Sequence, residues 1–134
     1  MRYMLDTNIC IDLIKRQPPQ VIQRLQVLQR GDAVMSVVTY AELRAGLEMQ
    51  PANRTQDERA LALLVDHIPV LPFTQAQTER YGLLRSAVCE RNRNVMDRLI
   101  AAHAVSVGVT LVTNNEADFK DYPDLSVENW ALPA

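Results

Sequence analysis

Apolar residues change their spacing repeatedly along the chain, and each change marks the border of an element. Residues 2 to 5, RYML, read as a short first strand, and ICIDLIK then places apolar residues at helical spacing over about 8 to 15. QPPQ at 17 to 20 breaks that helix and starts another, because proline suits a helix's first turn and the residue before it avoids helical angles. The second helix carries Val21, Ile22, Leu25 and Leu28 on one side and is expected to end at Gly31, a natural C-terminal cap. AVMSVV at 33 to 38 is a continuous apolar run of strand length.

Thr39 and Glu42 have the spacing of a capping box, which predicts a helix from there to about Met49. Thr55 with Glu58 predicts another helix to about residue 66, and IPVLPF at 68 to 73 is a third strand between prolines. Thr74 with Gln77 opens a long helix to about Arg91, RNRN interrupts it, and a further helix runs from about Val95 to Val107, ending at Gly108. VTLVT at 109 to 113 is a fourth strand, and LSV at 125 to 127 a fifth. Short apolar strands alternating with helices predict an α/β fold: a central, mainly parallel sheet of four or five strands covered by helices on both faces, in a three-layer α/β/α arrangement. Gly46, inside a predicted helix, suggests that another backbone packs closely there.

At 134 residues the chain is expected to form a single domain, residues 1 to 134. Arg2, Asp6 and Asp12 interrupt any signal-peptide apolar segment, and the longest later apolar run, ALALLV at 60 to 65, is far below spanning length. A cytoplasmic location with no membrane association is the expectation, and Cys10 and Cys89, outside any ligand spacing, are read as reduced core thiols. The formal net charge of −2 gives no global basic field for nucleic acid. The distribution is less even. Arg80, Arg85, Arg91, Arg93 and Arg98 crowd one stretch, and Glu116, Asp118, Asp121, Asp124 and Glu128 another, each also consistent with a solvated surface.

Open α/β sheets bind ligands outside the carboxyl ends of their strands. Asp6 follows strand one, Glu42 lies in the helical turn past strand two, Asn115, Glu116 and Asp118 follow strand four, and Asp97 opens the helix that feeds strand four. Each acid alone is explained by capping: Asp6 for the first helix, Glu42 in its box, and Asp97 three residues after Asn94. Capping, however, predicts acids at helix starts anywhere on the protein, whereas these fall on one sheet edge. Carboxylates within about 4 to 6 Å of one another raise each other's pKa values, so their convergence is costly unless a cation neutralises it. An oxygen-only donor set suits Mg²⁺ or Mn²⁺ rather than zinc. His67 ends a helix and His103 is turned about 120° from Asp97, which leaves both outside that set.

MLDTN at the start, SVVTYAELRAG around Glu42, MDRLIAAHAVSVGVTLVTNN around Asp97, and the closing ADF and LSVENW together resemble the PIN-domain ribonucleases, specifically the VapC toxins of type II toxin–antitoxin modules. The resemblance runs from residue 3 to about 130. It implies a PIN-like fold and an Mg²⁺- or Mn²⁺-dependent endoribonuclease whose catalytic acids are Asp6, Glu42, Asp97 and Asp118, with Asp6 and Asp97 the direct metal ligands. Thr7, Asn8, Thr113 and Asn115 would hydrogen-bond behind them. Two partners are implied as well: a second copy, giving a homodimer, and a VapB-type antitoxin. The substrate implied is RNA, with transfer RNA, including initiator transfer RNA, as the target, so that cleavage inhibits translation. Relatives usually carry a Pro-Ile-Gly type turn ahead of the third acid, where this chain has RNRNVMD.

An acidic site repels a polyanion, so the substrate must be gripped from the rim, and Arg91, Arg93 and Arg98 are the candidates for forked phosphate contacts. The rival is that they are exposed helix-terminal charges. A phosphoacceptor switch domain would want paired acids after strand one, and a haloacid-dehalogenase-type phosphatase would want Asp where Asn8 stands. A PIN-like module that binds RNA or protein without cutting is the third alternative.

Overall fold

A computed structural model describes residues 1–88 and 94–132. Five short strands, β1 (Tyr3–Leu5), β2 (Ala33–Ser36), β3 (Val70–Leu71), β4 (Thr110–Val112) and β5 (Val127–Glu128), form one parallel sheet in the order β3-β2-β1-β4-β5. The helices are α1 (Thr7–Lys15), α2 (Pro19–Gln26), α3 (Val37–Glu48), α4 (Arg54–His67), α5 (Gln75–Ala87) and α6 (Val95–Val107), with 3₁₀ turns at Pro51–Asn53 and Glu116–Asp118.

Successive strand side chains point to opposite faces, and this period of two separates two cores. Leu5, Ala33, Met35 and Val112 pack on one side with Ile9 and Cys10 of α1, Val21 of α2, Leu43 and Leu47 of α3, and Leu61 and Leu64 of α4. Met4, Val34 and Leu111 face the other way, against Leu84 of α5 and Ile100, Ala101 and Ala104 of α6. The apolar strand runs of the sequence are therefore continuous because both faces are covered. Trp130 closes the first core, its ring edge-on to Tyr3 at 5.2 Å and its indole N–H donating to Glu128.

The parallel sheet and the succession of strands and helices along the chain follow the sequence expectation, and several borders do not. Helix α2 ends at Gln26; Gly31 (φ 88°) lies in the turn before β2, where Gln29 N–H donates to Asp32, so its left-handed backbone serves the turn and not a helix cap. Helix α4 begins at Arg54 without a side-chain cap, and Glu58 pairs with Arg44 and Arg54 in place of closing a box with Thr55. The Thr74–Gln77 box is formed, with Thr74 N–H donating to Gln77 Oε1 at 2.7 Å. Gly46 is exposed with nothing within 4 Å of a hypothetical Cβ, which overturns the expectation of close backbone packing. Cys10 is a free, fully buried thiol whose pKa burial pushes up, while Cys89 lies outside the described residues. Among the described residues no helix is long and apolar enough to cross a membrane.

Candidate active site

The carboxyl edge of the sheet begins at β1, where Asp6 N–H donates to Val112 O at 3.0 Å and so continues the β1–β4 ladder by one residue. Asp6 is extended (φ −75°, ψ 174°), and its Oδ1 accepts from Ile9 N–H at 2.9 Å, capping α1. Capping and site membership are thus compatible, because an ionised carboxylate has about four lone-pair sites and the cap uses one of them. The side chain is 3% exposed. Burial pushes the Asp6 carboxyl up to about 6, against hydrogen bonds from Thr113 and Ile9, with the charges of Asp12 and Glu42 adding to the rise.

Glu42 reaches the same edge because α3 starts earlier than its capping-box signature predicts. Ser36, the last residue of β2, caps the helix through Oγ, which accepts from Val38 N–H at 3.1 Å. Thr39 is consequently buried inside the first turn, and Glu42 has no cap to return to. Its Oε1 accepts from Thr7 Oγ1 at 2.6 Å, and that hydroxyl also lies 3.4 Å from Thr39 Oγ1.

Asn94 caps α6, its Oδ1 accepting from Met96 N–H at 2.8 Å and from Asp97 N–H at 3.4 Å. That start fixes Asp97 in the first turn. Burial first, and then the charges of Asp118, Asp6 and Glu42, push the Asp97 carboxyl up to about 6. Asp118 sits in the turn after β4, held by the Asn115 side-chain amide, and Asn115 N–H in turn donates to Thr113 Oγ1 at 3.0 Å. Asn8 stands exposed at the start of α1.

The structure therefore brings Asp6, Glu42 and Asp118 within electrostatic reach of Asp97, and Thr7, Thr113 and Asn115 into contact with Glu42, Asp6 and Asp118. Arg98 is a correction. It is 3% exposed and its Nη2 donates to Val88 O at 3.1 Å, so it ties α6 to the end of α5 and cannot reach out to a phosphate. Arg91 and Arg93 lie outside the described residues. Sequence reasoning missed Asp12, which accepts from Asn114 at 3.2 Å and raises the Asp6 pKa. It also missed Ser36, whose place at a strand-to-helix junction was a usable capping signal.

Among the described residues, no three Asp, Glu, His or Cys side chains are close enough to cage an ion unaided. The donor set nevertheless fits a hard cation that keeps much of its water: Mg²⁺ is commonly held through one or two carboxylates. Four acids from separate elements, one of them raised by the charge of the other three, supply that negative potential. Neither histidine competes, since His103 is fully buried against Ser36 and His67 ends α4.

The PIN domain family model matches residues 3–125. The tRNA(fMet)-specific endonuclease VapC of Shigella flexneri is 37% identical over 136 residues, covering 98% of this chain and 99% of the relative. Ribonuclease VapC2 of Rickettsia felis is 34% identical over 133 residues, covering 97% and 98%. Among solved structures, VapBC2 from Rickettsia felis bound to a DNA fragment from its promoter superposes with a TM-score of 0.88 at 33% identity, covering 97% of this chain and 99% of that one. VapBC-1 from nontypeable Haemophilus influenzae gives 0.85 at 34% identity, covering 98% and 100%. The chain belongs to the PIN-domain family, in its VapC branch.

Proposed function

We propose that this protein is a VapC-type toxin, a single PIN domain over residues 1 to 134 that acts in the cytoplasm as an Mg²⁺- or Mn²⁺-dependent endoribonuclease. The observation that carries the proposal is the environment of Asp97, whose carboxyl is raised by burial and, beyond that, by the charges of Asp118, Asp6 and Glu42 contributed from separate elements. Such mutual repulsion is relieved by a divalent cation.

Asp6 and Asp97 would hold the ion directly, with Glu42 and Asp118 holding it or its waters from the other side. When bound, the ion supplies positive charge that acidifies a water and offsets charge on the phosphate and the leaving oxygen. The chain's own contribution is placement. Ile9 N–H and the Thr113 hydroxyl fix the Asp6 carboxylate, the Thr7 hydroxyl fixes Glu42, and the Asn115 amide fixes Asp118. Attack by water on the phosphodiester would leave a 5′-phosphate and a 3′-hydroxyl. With Arg98 buried, Arg91 and Arg93 remain the candidates for gripping the RNA backbone.

Transfer RNA, including initiator transfer RNA, is the proposed substrate, by likeness to the Shigella flexneri relative whose name carries that specificity. The proposed partners are a VapB-type antitoxin, by likeness to the VapBC structures, and a second copy of the chain in a homodimer. The test is labelled RNA incubated with the purified protein and Mg²⁺, with chelator, and with an Asp97→Asn variant. Cleavage confined to the first condition supports the proposal; metal-independent binding without cleavage would identify a non-cutting PIN-like module.

A further inference from the structure

The sequence holds two alternative starts for α3. Ser36 can cap a helix beginning at Val37, or Thr39 and Glu42 can form a capping box for a helix beginning at Tyr40. In the second arrangement the Glu42 carboxylate turns back to the Thr39 N–H. The first is the one formed, and Glu42 is left to meet Thr7.

What stands behind Ser36 is His103. Its Nδ1 lies 2.7 Å from Ser36 Oγ, and both side chains are fully buried. The hydroxyl oxygen already accepts from Val38 N–H, so its own proton is available to donate to Nδ1. The other ring nitrogen then carries the proton and faces the Pro72 backbone, where no hydrogen bond of ordinary geometry is completed. Phe73 packs edge-on to the ring, with centroids 5.4 Å apart, which fixes the plane of the imidazole. A chain of contacts thus runs from the end of β3 through α6 to the first turn of α3. Burial also lowers the His103 pKa, in keeping with a neutral ring that accepts at Nδ1.

We infer that His103 is a positioning residue: by locking the Ser36 hydroxyl it holds α3 in the register that frees Glu42 for the acidic site. This rests on the proposed function in taking Glu42 as a working acid. His103 is one of two histidines in the chain, and it is separated from Ser36 by 67 residues, so local helix propensity cannot supply the constraint.

The test is a double-mutant cycle on the full-length protein, using His103→Leu, Ser36→Ala and Glu42→Gln, with RNA cleavage and backbone amide exchange both measured. Loss of a side-chain cap corresponds to roughly a 2- to 30-fold effect. His103→Leu and Ser36→Ala are each expected to lower kcat about tenfold with KM little changed, and the two together no more than either alone. Neither should lower the residual activity of Glu42→Gln further. Amide exchange at Val38 should accelerate in His103→Leu without metal or RNA present, and His103→Gln, which can still reach the hydroxyl, should restore part of both readouts. If Glu42→Gln cleaves like the wild type, the assignment of the acid fails, whatever His103 does. If Glu42→Gln is inactive while His103→Leu and Ser36→Ala leave kcat and Val38 exchange unchanged, or multiply with one another, the positioning role is overturned. Should His103→Leu not fold, Ser36→Ala decides the question by the same two readouts.

Discussion

Thr7 Oγ1 donates to Glu42 Oε1 at 2.6 Å, across 35 residues of sequence and between the first turn of α1 and the second turn of α3, two helices that follow neighbouring strands. The bond exists because β1 and β2 are adjacent and parallel, which starts α1 and α3 at one edge. Replacing Thr7 by Val keeps the shape and deletes the donor. Cleavage should fall by roughly tenfold, the order expected from losing one hydrogen bond to a charged group. The melting temperature should change little, because Thr7 is only partly buried and its methyl packing is kept. Kinetics and a thermal scan on the same preparation check both halves.

Asp6→Asn and Asp97→Asn should each abolish cleavage while leaving the metal-free protein as stable as the wild type or more so. Asn is as good a helix cap as Asp, so the Asp6 substitution preserves the acceptor for Ile9 N–H while removing a buried charge. For Asp6 the relief is on the order of 2–3 kcal/mol at neutral pH, from a carboxyl raised to about 6 against an ordinary 3.8. Thermal melts in chelator measure it. A large loss of stability in both variants would return these acids to structural duty.

Much of this arrangement is legible in the sequence because it depends on alternation and order. Each short strand carries its apolar run, and Asp6 and Asp97 lie directly beside elements whose borders are sharply marked, a strand end and an Asn94-capped helix start. What fails to be legible is a choice between two locally acceptable solutions. Thr39 with Glu42 and Thr55 with Glu58 satisfy the capping-box pattern as well as Thr74 with Gln77, yet only the last is formed. In the first case a buried contact to His103 favours Ser36, and in the second Glu58 is drawn to Arg44 and Arg54. Arg98 was misplaced for a related reason: a cationic head can be buried when a carbonyl accepts from it, and Val88 O is not visible as a partner ten residues away.

The raised carboxyls fix the sign of a pH dependence. An Asp whose pKa is raised by folding holds its proton between the unfolded and folded values, so its contribution to stability is full below about pH 4 and is lost as pH rises through about 6. His103, lowered by burial, acts in the opposite direction as pH falls through 6.5, which masks the trend in the wild type alone. The comparison that isolates the carboxyl is wild type against Asp6→Asn without metal. The variant's advantage should be small at pH 4 and below, grow between about pH 4 and 6, and then level off. Millimolar Mg²⁺ should remove most of it by neutralising the charge in the wild type. Denaturant titrations at four pH values, with and without the ion, are sufficient, and an advantage that shrinks with rising pH would contradict the burial of Asp6 as its cause.

Arg98 separates a structural cation from a substrate-binding one. Its guanidinium donates to Val88 O, just past α5, and is covered by the protein. Arg98→Leu leaves that carbonyl without this donor, and the expected loss of stability is about 1–3 kcal/mol. The salt dependence of RNA binding should be unchanged, because each phosphate contact contributes about 0.7 to 0.9 to the slope of log affinity against log salt, and Arg98 makes none. Arg91→Ala and Arg93→Ala should show the reverse pattern: little change in melting, weaker binding, and a shallower slope. Binding isotherms with a catalytically silent Asp97→Asn background, over a fourfold range of salt, compare all three. A shallower slope for Arg98→Leu at a temperature where the variant is fully folded would restore Arg98 to the RNA surface.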